Sequence, residues 1–306
     1  MINHILITGG NGLLGKQLTA KLLEKGYSVC HLSRSLRNQE DVKTFIWDIK
    51  KGTIDPDCIK GVDAIIHLAG AGIADEKWSD ERKRELLETR TKSIGLIYNL
   101  LKTKQHQVTS VISASATGYY GDSGDKLMTE ESPSGTDFLA ECCRKWEQAV
   151  DEAVTMELRV VKFRTGVVLT ELGGALPKLA APIKFGFGTV LGSGRQWTPW
   201  IHYQDVIDMY VMAVENGGLT GVYNMVAPFP VTNEELTHAV ANALDKPLWL
   251  PHVPALVLKM VLGEMSSVVL NSNKVSPQKI EKEGFHFQFL TIDEALKDIY
   301  RKRWEG

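Results

Sequence analysis

The residue spacing with the clearest chemical meaning lies near the N-terminus, where glycines occupy positions 9, 12 and 15 after an apolar run that ends at Thr8. Glycines at this spacing allow a tight turn, close approach of a pyrophosphate and close packing of a helix on a strand, and the first N–H groups of that helix attract phosphate. The pattern is weak alone, but it gains weight between a strand and a helix. The alternative is an ordinary strand–turn–helix joint. The sequence favours a dinucleotide site formed by Gly9, Gly12, Leu13, Leu14 and Gly15.

The residues after the second predicted strand indicate which dinucleotide would bind. A site for NAD usually has an acidic residue about 20 positions beyond the glycines, where it holds the ribose 2′-hydroxyl. This chain has Ser33 and Arg34 there, with Arg37 close by. A hydroxyl and a guanidinium suit a 2′-phosphate, so the expected cofactor is NADP(H). Alternatively, both arginines are solvated loop charges.

Further candidate contacts follow the third and fourth predicted strands. Asp48 ends the third strand, where it could meet an adenine amine. Leu68 ends the fourth, and the small residues Ala69 and Gly70 come next. Small residues let a ligand approach the carboxyl end of a strand, which is where ligands bind in open α/β sheets.

A predicted helix over residues 79–101 carries two more candidates. Arg90 falls on its apolar stripe, and a charge on a buried face needs a partner. A cofactor phosphate or ribose is one possible partner, and an internal ion pair is the other. Glu85, about one turn earlier, could accept a ribose hydroxyl.

These residues need a scaffold that brings strand ends together. Apolar strands alternate with helices up to about residue 170, which is typical of a parallel, doubly wound sheet of Rossmann type. Right-handed crossovers then place the strand ends on one edge. The predicted class is α/β, with an NADP(H)-binding domain over residues 1–170 and a smaller mixed domain over residues 171–306. The second domain would cover the substrate, and some of its segments would return to the sheet.

The pattern changes beyond residue 170, where glycines become dense. Thr232 and Glu235 form a capping-box pattern that opens a helix. Aromatic residues alternate over residues 285–289 as in a short strand, and a final helix begins at Thr291. The glycine-dense segment is typical of a loop region over a substrate. Trp197, Trp200, His202 and Asp205 follow these glycines.

Composition argues against several classes of function. The chain has 306 residues, is 43% hydrophobic and 24% charged, and carries a net charge of -2, so no basic patch points to nucleic acid or a membrane surface. The apolar stretch over residues 253–270 contains Lys259 and Glu264 and indicates two amphipathic helices, not a membrane span. No leader pattern precedes the first strand. The four cysteines lack metal-ligand spacing, so we expect no metal site and a cytoplasmic location.

Taken with the Ser113-Ala114-Ser115-Ala116 strand and the stretch over residues 197–202, these motifs resemble an extended short-chain dehydrogenase/reductase. More narrowly, they resemble the atypical subgroup known as epimerase family proteins, which has a small C-terminal domain. The resemblance runs over nearly the full length and implies NADP(H) binding, with Leu68, Ala69, Glu85 and Arg90 as cofactor contacts. Its other markers are Thr8-Gly9-Gly10-Asn11-Gly12, Leu68-Ala69-Gly70, Tyr119-Tyr120-Gly121, Phe138-Leu139-Ala140 with Trp146-Glu147, Gly192-Ser193-Gly194-Arg195-Gln196, Ala227-Pro228 and Leu262-Gly263-Glu264-Met265.

The chain departs from that family at the catalytic pair. The resemblance implies a Ser or Thr together with Tyr-x-x-x-Lys, in which the lysine lowers the pKa of the phenol. Counting back from Glu147 puts Leu139 at the tyrosine position and Cys143 at the lysine position. Lys145 lies two residues further on, roughly 200° around the helix, and does not easily replace the lysine. The usual proton relay is therefore absent as written.

Other residues are candidates for the chemistry. Ser115 aligns with the family's serine or threonine, which orients a substrate oxygen. Tyr120 is the candidate acid, with Arg164 or Arg195 as the cation that would lower its pKa. The alternative is that Tyr119 and Tyr120 only pack beside the nicotinamide.

Cys143, His202 and Asp205 are further candidates, and two functions fit the motifs. The thiol of Cys143 could act where the lysine would be, although buried cysteines are commonly inert. His202 and Asp205 lie in the expected substrate segment, and a structural histidine is the alternative. The first function is an NADP(H)-dependent oxidoreductase or epimerase acting on a small polar carbonyl or hydroxyl compound, such as a nucleotide sugar. The second is a non-catalytic NADP(H)-binding sensor or regulatory protein. Substrate identity and oligomeric state stay open.

Overall fold

The computed structural model describes residues 2–36 and 41–301, and its largest element is an eight-stranded sheet. Seven of its strands are parallel and β4 runs antiparallel to β3, in the order β12-β8-β6-β5-β1-β2-β3-β4. The strand order reverses at β1, and ligands of such sheets bind at this point, beyond the carboxyl ends of the strands. The strands are β1 His4–Thr8, β2 Ser28–Ser33, β3 Lys43–Asp48, β4 Thr53–Ile54, β5 Ala64–His67, β6 Ser110–Ala116, β7 Leu127–Met128, β8 Arg159–Thr165, β9 Val167–Leu169, β10 Trp197–Thr198, β11 Trp200–His202, β12 Gly221–Met225, β13 Val231–Thr232 and β14 Lys274–Val275.

Helices cover both faces of this sheet because side chains along a strand alternate between the two faces. Ile5 and Ile7 of β1 lie in one apolar core with the first and fifth helices, and Leu6 lies in the other with the second and third. The predicted α/β class with a doubly wound parallel sheet is therefore confirmed. The helices are α1 Leu13–Glu24, α2 Asp80–Thr103, α3 Phe138–Asp151, α4 Ala175–Lys184, α5 Tyr203–Glu215, α6 Asn233–Ala243, α7 Ala255–Leu262, α8 Ser267–Leu270, α9 Gln278–Lys282 and α10 Ile292–Arg301.

The C-terminal half contributes to the sheet and also forms a core of its own. β12 pairs with β8, and α5 packs in the same core as α1. A third core joins α4, α6 and α10 to residues of β9 and β11. The remaining strands form three short pairs, β10 with β13, β11 with β9 and β14 with β7.

Local predictions in this half have different outcomes. The capping box is confirmed, because the Glu235 backbone N–H donates to Thr232 Oγ1 at 3.2 Å and the Thr232 N–H donates to the Glu235 carboxylate at 2.6 Å. The strand predicted over residues 285–289 is wrong. The backbone N–H groups of Gln288 and Phe289 donate to the Asp205 carboxylate at 2.8 and 3.3 Å, so a side chain takes the place of a neighbouring strand.

The apolar stretch over residues 253–270 forms α7 and α8, and none of the residues of α7 is buried. No helix within residues 2–36 and 41–301 is both long and apolar enough to cross a membrane. In the same ranges, no group of three or more His, Cys, Asp or Glu side chains is placed to hold a metal ion. All four cysteines are free and buried.

Candidate cofactor and catalytic site

The glycine loop lies between β1 and α1, and steric contacts fix its composition. Gly9 has a φ of +72°, which favours glycine. A Cβ at Gly15 would lie 2.4 Å from the Gly9 carbonyl oxygen, and a Cβ at Gly10 would lie 2.4 Å from the ring of His31. Gly12 is the N-cap of α1 and offers no side chain to its first N–H groups. The loop is therefore an open cradle of backbone donors at a helix N-terminus.

A buried histidine fixes the backbone at the end of β5. Thr8 Oγ1 accepts from the N–H groups of Leu68 and Ala69, both at 3.2 Å, and so donates its own proton to His67 Nδ1 at 2.8 Å. Burial lowers the pKa of His67 to about 4, which keeps the ring neutral and Nδ1 free to accept. Two of the predicted cofactor contacts, Leu68 and Ala69, are thus held rigidly at the edge of the sheet beside Gly9.

Arg90 finds a partner that the sequence did not suggest. Its Nη1 donates to the Leu86 carbonyl at 2.8 Å and its Nη2 to the Ala71 carbonyl at 3.0 Å, while Cζ lies 5.1 Å from the centroid of the Trp146 ring. Among the described residues Arg90 forms no ion pair, so that alternative is wrong. The guanidinium fixes the loop that follows Gly70, and a cofactor contact at Arg90 stays a prediction.

Glu85 is engaged within its own helix. Its carboxylate pairs with Arg82, with Nη1 and Oε2 2.7 Å apart, and Arg82 Nη2 donates to the Gly72 carbonyl at 2.8 Å. The Glu85 side chain is only partly buried. Its predicted contact with a ribose hydroxyl remains a prediction.

The residues predicted to select the cofactor lie at the ends of β2 and β3. Ser33 ends β2 and accepts from Asn11 Nδ2 of the glycine loop at 3.1 Å. Arg34 follows it and is exposed, whereas Arg37 lies outside the described residues. Asp48 Oδ1 accepts from the N–H groups of two following lysines, both at 3.0 Å, and these hydrogen bonds lower the pKa of its carboxyl. The adenine contact predicted for Asp48 stays a prediction.

α3 carries Leu139 and Cys143, the positions that the resemblance assigns to the tyrosine and the lysine. Leu139 is half-buried and packs against Gly118, where an added Cβ would lie 3.3 Å from the Leu139 Cβ. Cys143 is buried, and burial raises the pKa of its thiol. Lys145 points to the exposed side, where its Nζ lies 2.5 Å from the Glu141 carboxylate. The lysine is therefore directed away from the sheet, as its position on the helix predicts.

A buried ion pair lies one turn beyond Cys143. Glu147 receives two parallel hydrogen bonds from Arg164, from Nε at 2.8 Å and from Nη2 at 2.9 Å, and a third from Ser115 Oγ at 2.7 Å. Burial by itself lowers the pKa of Arg164, but the hydrogen bonds and charge of Glu147 outweigh it and raise that pKa. Glu147 served only as a family marker in the sequence. Its four-residue spacing from Cys143, which puts both on one helical face, is the signal that could have found it.

Ser115, Arg164 and Asn224 form a polar row across three neighbouring strands, because each pairs with the next in register. Tyr120 contacts two residues of this row. Its hydroxyl donates to Asn224 Oδ1 at 2.6 Å and accepts from Arg164 Nη1 at 3.1 Å. Burial raises the pKa of Tyr120 to about 12, and the charge of Arg164 offsets only part of that rise. The expectation that Arg164 lowers this pKa below its ordinary value is wrong. Among the described residues, the exposed Arg195 forms no hydrogen bond with the phenol.

His202 and Asp205 have structural contacts. His202 Nδ1 accepts from the Gln204 N–H at 3.2 Å, and the ring centroid lies 3.7 Å from that of Phe289. Burial lowers the pKa of His202 to about 4, although Asp298 raises it in part. Burial also raises the pKa of Asp205 to about 6. Both side chains fix the segment around Phe289, as expected of the structural alternative.

Comparison with known proteins assigns the chain to a family. The sequence model of the NAD dependent epimerase/dehydratase family matches residues 5–225, and that of a domain of unknown function, DUF1731, matches residues 253–299. This chain belongs to the NAD dependent epimerase/dehydratase family. The resemblance to epimerase family proteins is confirmed by a relative of that name, YfhF of Bacillus subtilis. It is 35% identical over 302 residues, which are 98% of this chain and 99% of YfhF.

Three other proteins are similar to this chain. The chloroplastic SDR39U1 homolog of Arabidopsis thaliana is 35% identical over 301 residues, which are 96% of this chain and 86% of that protein. The crystal structure of human epimerase family protein SDR39U1 (isoform 2) with NADPH superposes with a TM-score of 0.85 at 29% identity, and covers 97% of this chain and 99% of the human one. MoeE5 in complex with UDP-glucuronic acid and NAD superposes with a TM-score of 0.78 at 18% identity over 99% of this chain and 100% of MoeE5, and so shows the fold alone.

Proposed function

We propose that this family member binds NADP(H) at the glycine loop and acts as an oxidoreductase on a small carbonyl or hydroxyl compound. Gly12, the N-cap of α1, has no side chain over the first N–H groups of the helix, which suits a pyrophosphate. Ser33 stands where a site for NAD has an acid, and Arg34 follows it. The solved human relative was crystallised with NADPH, which supports the same choice.

The Ser115–Glu147 contact carries the catalytic part of the proposal. The Ser115 hydroxyl donates to a carboxylate, so its own lone pairs are available to accept a proton from a substrate alcohol. As Ser115 takes that proton, it passes its original proton to Glu147, while the hydride leaves the substrate carbon. When bound, the nicotinamide ring supplies the acceptor or donor of that hydride. Arg164 holds the Glu147 carboxylate in place with two hydrogen bonds, so the proton acceptor at the end of this relay is positioned beside Ser115.

A second candidate is a non-catalytic NADP(H)-binding sensor. It is favoured by the half-buried Leu139 and the buried Cys143, which stand where the family has its phenol and its lysine. The buried Tyr120, with its pKa raised to about 12, is also a poor acid at neutral pH. A sensor would use the same glycine loop without moving a hydride.

Cofactor binding is tested first, by thermal unfolding of the full chain with NADPH or NADH. A ligand that binds only the native state at ~100 times its Kd stabilises it by ~2.7 kcal/mol. We expect the larger stabilisation with NADPH. Equal stabilisation by both nucleotides, or a larger one with NADH, contradicts the choice of cofactor, and no stabilisation by either contradicts the site.

Catalysis is tested by following NADPH absorbance with a panel of aldehydes, ketones and alcohols. We expect Ser115→Ala to abolish turnover of any active compound and Ser115→Thr to restore part of it, since threonine keeps the hydroxyl. Ser113→Ala is the matched control, a buried serine on the same strand whose hydroxyl bonds to the Ala114 carbonyl. Full activity of Ser115→Ala would exclude the relay. NADPH binding without turnover of any compound would favour the sensor.

A further inference from the structure

The side-chain amide of Asn11, in the glycine loop, has a hydrogen-bond partner for its nitrogen but not for its oxygen among the described residues. Its Nδ2 donates to Ser33 Oγ at 3.1 Å. Its Oδ1 is buried and has no hydrogen-bond partner among the residues that the structure describes. A buried amide oxygen without a donor is costly, and such oxygens are rare in folded proteins. The free oxygen of Asn11 therefore points to a missing donor.

The position of this side chain indicates where the donor comes from. Asn11 follows β1 and Ser33 ends β2, and the two strands are parallel neighbours with Thr8 opposite Leu32. In a dinucleotide fold the end of the second strand faces the adenosine ribose. The loop is packed against a buried side chain, because a Cβ at Gly10 would lie only 2.4 Å from the His31 ring.

The hydrogen-bonding roles of the two side chains differ. Ser33 Oγ already accepts from Asn11, so its own proton points elsewhere and needs an acceptor. A phosphate ester has acceptor oxygens and is mostly ionised at neutral pH. Asn11 Oδ1 has the opposite need, because a carbonyl oxygen can only accept. A ribose that carries a 2′-phosphate beside a free hydroxyl supplies both.

We propose that Asn11 determines cofactor specificity: its Oδ1 accepts from a ribose hydroxyl of the nucleotide, and its Nδ2 orients Ser33 to donate to the 2′-phosphate. The inference rests on the NADP(H) site proposed above, to which it adds a residue outside the predicted set. It assigns the glycine loop a part in choosing between the two nucleotides, besides binding the pyrophosphate.

The test is Asn11→Asp in the full chain, with the Kd of NADPH and NADH measured by calorimetry. Aspartate keeps the shape and the accepting oxygen but replaces Nδ2 with a second oxygen. Ser33 then donates to residue 11 instead of the phosphate, and a negative charge stands beside the 2′-phosphate. We expect the Kd of NADPH to rise at least tenfold, and the Kd of NADH to stay within threefold or to fall, since sites for NAD use an acid at this ribose.

Two more variants complete the test. Ser33→Ala should weaken the binding of NADPH and leave that of NADH unchanged. Asn11→Ala removes the accepting oxygen and should weaken the binding of both nucleotides. Equal loss of both in Asn11→Asp, or no loss of either in Asn11→Ala, overturns the inference. If Asn11→Asp does not fold, Asn11→Ala decides alone. A wild-type chain that binds NADH as tightly as NADPH, or binds neither, instead refutes the proposed function.

Discussion

Glu147 and Glu141 lie on the same helix, α3, and each pairs with a cation, but only one pair is buried. The side chains of Glu147 and Arg164 are 8% and 4% exposed, whereas those of Glu141 and Lys145 are both 45% exposed. Glutamine at either position keeps the shape and removes the charge. The same substitution therefore measures the effect of burial on an ion pair.

The losses of unfolding free energy expected for the two variants differ several-fold. In Glu147→Gln the amide nitrogen replaces the oxygen that accepts from Arg164 Nη2, so two hydrogen-bond donors face each other. The buried guanidinium of Arg164 also loses its countercharge. Breaking a buried pair in this way costs ~3–5 kcal/mol of the free energy of unfolding. In Glu141→Gln an exposed pair is lost, at ~0–1 kcal/mol.

Urea unfolding of the full chain, followed by circular dichroism, measures both changes from the midpoint and slope of each transition. The double variant Glu147→Leu with Arg164→Met should recover much of the lost stability, because neither charge is then left unpaired. If the free energies of unfolding of Glu147→Gln and Glu141→Gln lie within about 1 kcal/mol of each other, burial does not strengthen the effect of losing the pair. A double variant less stable than Glu147→Gln would also contradict the reasoning.

Two further predictions concern the histidines and the glycine loop. Burial lowers the pKa of His31, His67 and His202 to about 4. The unfolded chain therefore binds more protons than the native one between pH 6.5 and 4, and the free energy of unfolding should fall by several kcal/mol as the pH falls through that window. Urea midpoints that do not change between pH 7 and 4.5 would contradict this prediction. Gly10→Ala should weaken NADPH binding at least tenfold, because its Cβ would lie 2.4 Å from the His31 ring, and adding His31→Ala should restore most of the affinity. Gly15→Ala meets backbone instead, so the same second change should restore nothing, and equal rescue of both would refute the steric argument.

The sequence by itself predicted the parallel sheet and the glycine loop at its edge. Strand periodicity places Ile5 and Ile7 on one face and Leu6 on the other, and the structure has them in separate cores. The spacing of Gly9 and Gly15 predicts the turn because the contact that excludes a Cβ is made within the loop itself. The capping box at Thr232 is equally local. In each case the residues that interact lie within a few positions of one another, so their spacing alone carries the information.

Only the tertiary structure decided what surrounds Ser115. Glu147 lies 32 positions away, and Arg164 reaches it from β8, so neither contact follows from a motif. The direction of the pKa of Tyr120 also depended on the fold, because burial raises this pKa more than the charge of Arg164 lowers it. Likewise, the partners of Arg90 are carbonyls of the backbone, which no side-chain pattern reveals. Local spacing fixes local geometry, whereas burial and long-range pairing arise only when α3 packs on the sheet and removes these groups from water.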